Sequence, residues 1–408
     1  MNTSSKRKIS FFSILFTFFV DNLGWSIVFP IFAPFFLDPQ NVIFSADVAF
    51  STRTTILGVF LAAYPFAQFF GAPLLGEFAD RSGRKKALIL SIFLIFVGYV
   101  ITAISIHFAN LTWLFIGRII TGIFSGNLSV CLATISDLSE TKKAKAKNFG
   151  LLSVLAGFSF IVGAFLGGKF SDSKISEYFT PALPLMIAAV LSFINFFFII
   201  FAFRETLEEK KWVKFDFLEG IHNIQQALKT KNIKTIYIIY FLFVFGWTIL
   251  FQFSPVLVIK KFHFTNSQIG DLAAFMGICW AIGSWPINKL LVKRFSPIKI
   301  LEVALLVFTL FCGVVAFPKD LTNVILLLGL CVTIGGLAWP LCTTIISDRA
   351  PPRMQGKVLG MSQSMQSLAM AVSPIIGGLS DQIHIYLTFL IAAFASLMAA
   401  LIYFKAKI

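Results

Sequence analysis

Twelve apolar blocks, each about twenty residues or longer, follow one another along this chain with mostly short polar stretches between them. That is the length an α-helix needs to cross roughly 30 Å of hydrocarbon at about 1.5 Å per residue. The blocks lie near 11–36, 54–76, 87–107, 111–134, 148–168, 182–203, 234–258, 267–288, 298–317, 321–345, 358–379 and 384–404. Within a bilayer the backbone has no water to bond with, so blocks of this length are expected as helices. Composition agrees: 57% of residues are hydrophobic, 13% are charged and the mean hydropathy is +0.86. A soluble chain of this size needs more polar surface. The expected class is an all-α membrane protein with twelve transmembrane helices.

The net charge of +15 raises the question of nucleic acid, and the positions of the 34 Lys and Arg answer it. With the N-terminus inside, 27 fall in cytoplasmic segments and 6 in outer ones, while Arg118 lies within a span. This is the positive-inside pattern, which puts both termini in the cytoplasm. A nucleic-acid surface would gather its basic residues on one folded face, and none is expected here. The lysine- and phenylalanine-rich composition with short loops fits a bacterial inner membrane. Cys131, Cys279, Cys312, Cys331 and Cys342 all sit inside apolar blocks, so no disulfide framework is expected. No two histidines have ligand spacing on a helix, and no metal or other cofactor is expected. The first block is too long for the apolar core of a cleaved leader and reads as a span.

One connection is long. Residues 204–233 carry many charges and divide the chain into 1–203 and 234–408, expected as two six-helix bundles. Within this linker Phe217, Leu218, Ile221, Ile224 and Leu228 recur at helical spacing, the pattern of an amphipathic helix on the membrane surface. An internal repeat supports the division. Gly150, Gly167 and Gly168 correspond to Gly360, Gly377 and Gly378 at a constant offset, and Ile135-Ser136-Asp137 to Ile346-Ser347-Asp348. Helices five and eleven therefore hold equivalent places in two pseudo-symmetric halves, an arrangement suited to alternating access.

The strongest motif is Gly76-Glu77-Phe78-Ala79-Asp80-Arg81-Ser82-Gly83-Arg84-Lys85-Lys86 between the second and third spans. Gly83 can take the positive φ of a tight reversal, and Gly76 can let two helices approach closely. Asp80 can accept from a helix N-terminus or a basic side chain. Arg81 and Arg84 suit a carboxylate such as Asp137 at the end of span four. A cluster of this kind can form in one conformation and break in another, which makes it a latch.

This segment resembles the signature loop of the major facilitator superfamily. Asp21-Asn22-Leu23-Gly24 with Phe29-Pro30 is similar to the first helix of the twelve-helix drug:proton antiporters. Gly117-Arg118-Ile119-Ile120-Thr121-Gly122 is similar to their buried-arginine helix, and Arg204-Glu205-Thr206 to the tetracycline-exporter pattern after helix six. The family's helix-five motif carries a proline after its first glycine. Here the segment reads Gly163-Ala164-Phe165-Leu166-Gly167-Gly168, and the proline stands in the other half as Pro374, before Gly377 and Gly378. Gly98 precedes Tyr99 where tetracycline exporters carry an acidic residue, so tetracycline itself is not expected as the solute. The resemblance implies a monomeric transporter in the lipid bilayer that handles a small molecule and protons. No segment matches the phosphate-cradling Gly-x-x-x-x-Gly-Lys-Ser/Thr loop, so no nucleotide is expected.

Ionised groups at membrane depth are costly and invite a functional reading. Asp21 is the first candidate for proton binding, and a structural tie between helices is the alternative. Arg118 is a fixed charge that can orient a carboxylate, attract an anion or tie helices. Glu302 stands near the start of span nine, as a coupling group or as a carboxylate reaching solvent. Asn22, Gln68, Asn127 and Gln252, with Trp25, Trp247, Trp280 and Trp339, are candidates for a cavity that suits an amphipathic solute; helix packing explains each of them as well. The expected function is secondary active transport, as proton-coupled export. The same fold importing a nutrient, and a non-transporting receptor, are the alternatives. No enzyme chemistry is expected.

Overall fold

A computed structural model describes residues 3–39, 41, 43–45, 47–139, 141–207, 216, 218–229, 233–349 and 355–406, and these are helical over most of their length. In order the helices are α1 (Thr3–Ile27), α2 (Phe29–Leu37), α3 (Phe50–Ser82), α4 (Arg84–His107), α5 (Leu111–Phe124), α6 (Asn127–Asp137), α7 (Lys142–Phe170) and α8 (Leu183–Ala202). There follow α9 (Glu219–Lys229), α10 (Lys234–Phe262), α11 (Asn266–Ile282), a π-helical turn at Gly283–Ile287, α12 (Asn288–Val292), α13 (Pro297–Val314), α14 (Leu321–Asp348), α15 (Gln355–Ile383) and α16 (Ile385–Ala406). Among the described residues eleven helical stretches are long and apolar enough to cross a membrane. The twelfth expected span is α15, of 29 residues, which carries Ser362, Gln363, Ser364, Gln366 and Ser367 within its length. Several of its polar groups face protein: the Tyr240 hydroxyl donates to Gln366 Oε1 at 3.0 Å, and the Tyr237 hydroxyl to the Val358 carbonyl at 2.9 Å.

Many helices begin or end beyond the apolar blocks, because hydrogen bonding continues into the charged ends. Side chains close several of these ends. Asn110, Thr141, Ser296 and Asp320 accept from the first turns of α5, α7, α13 and α14, at 3.1, 3.1, 3.4 and 2.9 Å. Three spans are not single α-helices. The first pauses at Val28, the fourth breaks at Ser125-Gly126, and the eighth passes through the π turn that contains Pro286. Glycine and proline mark the latter two places. Large apolar side chains stand exposed along the helices, Phe12, Phe158, Phe201 and Phe394 among them, as lipid-facing residues do. The five cysteines are free and buried.

The linker helix is present as α9. Leu218 just before it and Ile221 and Leu228 on it are exposed, while Asn223 Nδ2 reaches Ser364 Oγ at 3.5 Å. Phe217, expected on the same apolar face, lies outside the described residues.

By contacts the chain forms two compact units. One comprises Met1–Phe32, Phe66–Glu219 and Asn266–Asp271; the other comprises Ala33–Pro65, Gly220–Thr265 and Leu272–Ile408. The first turns of α3 thus group with later helices, and the first turns of α11 with earlier ones. In the first unit a Cβ on Gly168 would sit 2.6 Å from Gly270 Cα; in the second a Cβ on Gly378 would sit 3.3 Å from Gly58 Cα. Backbones this close admit no side chain. Gly167 meets Ile27 of α1 in the first unit, and Gly377 meets the Phe253 ring of α10 in the second. The sequence repeat therefore corresponds to a repeated packing arrangement, and the matched Ser-Asp pairs both end helices, at Asp137 of α6 and Asp348 of α14.

Candidate functional site

Only Gly83 separates α3 from α4, with φ 107°, a backbone conformation that side chains other than hydrogen rarely adopt. The reversal brings Arg84 against two carboxylates, Asp80 at 2.6 Å on α3 and Asp137 at 3.5 Å on α6. Arg81 occupies the last turn of α3. A third carboxylate closes the arrangement. Glu205, just past α8, accepts from the backbone N–H groups of Arg84 at 2.9 Å and Lys85 at 3.1 Å, capping α4. A side chain at position 83 would collide with it. Lys85 Nζ in turn donates to the Ile200 carbonyl at 2.8 Å. Glu205 lies in a stretch the sequence marks only as a resemblance, and its cap could not be read there because it depends on where α8 ends. Gly76 departs from expectation: a Cβ there would meet only Ser129 Oγ, at 3.9 Å, so no close helix approach depends on it.

Deeper in the same unit, Asn127 opens α6 beyond the break at Ser125-Gly126. Its Nδ2 donates to Asp21 Oδ2 at 2.6 Å. A Cβ on Gly126 would lie 2.5 Å from Ala72 Cα, so the break is wedged against α3. Asp21 therefore sits beside the start of a half-helix, where backbone N–H groups favour negative charge. One turn earlier on α1, Thr17 Oγ1 lies 3.0 Å from Asn195 Oδ1 of α8. Asn127 and Asn195 are fully buried, and each leaves one amide atom without a hydrogen-bond partner, Oδ1 and Nδ2 respectively. Thr17 and Asn195 are additions to the sequence reading; an asparagine amid Phe and Ile in span six was the available signal. Arg118 is buried on α5, 5.6 Å from the centre of the Phe32 ring.

The remaining candidates scatter. Asn22 turns its amide back to the Phe18 carbonyl of its own helix at 2.8 Å. Trp25 packs on Phe160 at 5.8 Å, and Gln68 is half-buried on α3. In the second unit Trp247 is buried, packed against Phe251, Phe308 and Trp339 at 5.7, 6.4 and 6.4 Å. Trp339, half-buried, also meets Tyr240 at 6.1 Å, which makes this an aromatic cluster. Gln252 is half-buried with Oε1 unpartnered. Trp280 packs against Gly336, and Glu302 is half-buried on α13 near Tyr403.

The family model described as Major Facilitator Superfamily matches residues 14–335 and 236–407. The chain belongs to the Major Facilitator Superfamily. It is 28% identical over 372 residues to the class D tetracycline resistance protein of Salmonella ordonez, covering 88% of this chain and 86% of that one. It is 24% identical over 406 residues to multidrug resistance protein 2 of Bacillus subtilis (strain 168), covering 97% and 94%. The crystal structure of a D-xylose-proton symporter shares its fold, with a TM-score of 0.78 at 16% identity, covering 97% and 98%. The protein is accordingly a multi-pass membrane transporter for small molecules, with the twelve-helix architecture expected from its sequence, rather than an enzyme.

Proposed function

We propose that this transporter exports a small amphipathic solute in exchange for protons, and that Asp21 is the group that binds the proton. The observation that carries the reading is the Asp21–Asn127 hydrogen bond at the break in the fourth span. An acidic group placed at membrane depth beside a discontinuous helix is costly unless it is used. Relatives bearing the names of tetracycline and multidrug resistance proteins support the direction. The lysine and arginine distribution supports a bacterial inner membrane with both termini in the cytoplasm. Two six-helix halves rocking about a midplane cavity, with Arg84, Asp80, Asp137 and Glu205 as a latch that forms and breaks, supply alternating access. The transporter acts as a monomer.

The test is counterflow in proteoliposomes under an imposed pH gradient. Asp21→Asn is expected to retain solute exchange while losing its dependence on the gradient. Unchanged proton dependence in that variant removes Asp21 from the mechanism. A second reading has its own observation: α7 carries Ala164 in place of the family proline and runs unbroken from Lys142 to Phe170. An importer or facilitator is compatible with that helix, and accumulation down an inward proton gradient would identify it.

A further inference from the structure

The seam between α1 and α8 is polar along one line. Ser10, Ser13 and Thr17 are all buried on α1, and with Asp21 they follow one another at spacings of three or four residues, so all four lie on a single face. Two contacts set the antiparallel register of α8 against them. The Arg204 N–H donates to Ser10 Oγ at 3.2 Å, and Thr17 pairs with Asn195 at 3.0 Å. Continuing that register brings Ser192, buried one turn from Asn195, to the level of Asp21. The line spans eleven residues, about 16 Å at roughly 1.5 Å per residue. It runs from Asp21 to the helix end that carries the Gly83 turn.

Packing alone does not account for it. Ser13 and Thr17 can satisfy their hydroxyls by donating to the Ile9 and Ser13 carbonyls at 2.9 and 3.0 Å. Asn195 cannot be satisfied by this set: whichever way its amide is turned, Thr17 engages one end and the other stays unpartnered in a fully buried place. Asn127 repeats the situation beside Asp21. An unsatisfied buried amide is costly, and such groups ordinarily hold an internal water. Few charges compete at this depth. Helix α8 has no ionisable residue. Those of α7 are lysines at its two ends, and Asp137 stands at the end of α6. The Cys131 thiol lies near enough to feel Asp21, and Arg118 lies on α5 of the same span.

We propose that the α1–α8 seam holds a file of internal waters that carries the proton between Asp21 and the Gly83 end of the bundle, with Thr17 and Asn195 positioning it. In each step the O–H bond of the protonated Asp21 carboxyl breaks as a new one forms on the adjoining water. That water, or the Thr17 or Ser13 hydroxyl, gives up its own proton to the next acceptor as it receives one. One proton reaches bulk water, the Asp21 carboxylate remains, and no other reactant is needed. Ile199, one turn from Asn195 on α8, is fully buried. This inference rests on Asp21 being the proton site.

The test follows the carboxyl band of protonated Asp21 by time-resolved infrared difference spectroscopy after a pH jump, on the purified full chain with no solute added. The band is assigned by its loss in Asp21→Asn. Thr17→Val and Asn195→Leu are each expected to slow its appearance by about tenfold or more, equivalent to roughly 1.4 kcal/mol on the barrier. Thr17→Ser, which restores a hydroxyl, is expected to keep the wild-type rate, and the final band amplitude to be equal in all of these variants. A structural role alone would not separate rate from amplitude. Thr17→Val exchanges a hydroxyl for a methyl of similar volume, so the test survives if Asn195→Leu fails to fold. A wild-type rate in Thr17→Val overturns the water file while leaving Asp21 as the proton site. Absence of any band that Asp21→Asn removes overturns the proton site itself.

Discussion

Helix α7 meets α11, and helix α15 meets α3, through glycines at equivalent places of the internal repeat, Gly168 with Gly270 and Gly378 with Gly58. The polar groups around the two seams are unlike. At the first, bonds cross from one helix to the other. Lys169 Nζ reaches Asp271 at 2.8 Å and Ser267 Oγ at 2.7 Å, the Asp172 carboxylate accepts from the Ser267 N–H at 3.0 Å, and Asn266 donates to the Ser171 carbonyl at 3.1 Å. At the second, the Thr55 hydroxyl bonds the Gly378 carbonyl at 3.3 Å. The charge there is held behind the seam: Lys260 of α10 contacts both oxygens of Asp381 at 2.6 Å and lies 5.0 Å from the Phe50 ring. The repeat has kept the close backbone approach and let the stitching diverge. On the transport reading, one seam parts by exchanging its hydrogen bonds for water, and the other by exposing a greasy contact with its ion pair intact.

The largest effect expected from this contrast is at Asp381. Its side chain is fully buried, and that of Lys260 is 23% exposed. Removing one partner of a buried pair costs about 3–5 kcal/mol, and the residual solvent at Lys260 places Asp381→Asn near the lower bound. Thermal unfolding of the purified protein measures this, with Asp381→Asn melting well below wild type. The contrast breaks if that loss is no larger than the loss from removing Asp271 in the other seam. Next in size is the glycine contact itself. Gly168→Leu and Gly378→Leu put a side chain between two backbones, and overpacking of this sort costs about 1–3 kcal/mol. Both variants are expected to be destabilised by similar amounts and to lose counterflow, because the shared feature of the two seams is the one being tested. A strong effect at one seam alone would show that the repeat no longer works symmetrically.

How much of this was legible beforehand follows from the range over which each signal acts. The spans are set by the length of apolar runs, and the reversal at Gly83 by a local conformational need, so both could be read from neighbouring residues. Asp21 and Asn127 stood out as polar groups at membrane depth, though their pairing rests on the fourth span breaking at Ser125-Gly126, and which helices that break brings together is a tertiary outcome. The aromatic candidates are less legible: Trp247 and Trp339 have the chemistry of a solute cavity and also pack against each other, Trp247 against Phe308 and Trp339 against Tyr240. Glu205 and Asp172 escaped because each caps a helix that begins far from it in the chain, α4 and α11. Such caps are tertiary facts. No spacing rule reaches them.

The smallest effect separates the seams most cleanly. The Lys169–Asp271 pair is partly solvated, with side chains 29% and 51% exposed, and exposed pairs contribute about 0–1 kcal/mol. Asp271→Asn is therefore expected to lower the melting temperature only slightly at low salt. The difference from wild type should shrink as added salt screens the pair, since the Debye length falls to about 3 Å at 1 M. Lys260 and Asp381, shielded from ions, should show no such convergence, and the melting difference for Asp381→Asn should persist across the same salt series. Equal salt dependence in the two variants would mean that both charges reside in water. The ion pair behind the α15–α3 seam would then be as dispensable as the one across α7 and α11.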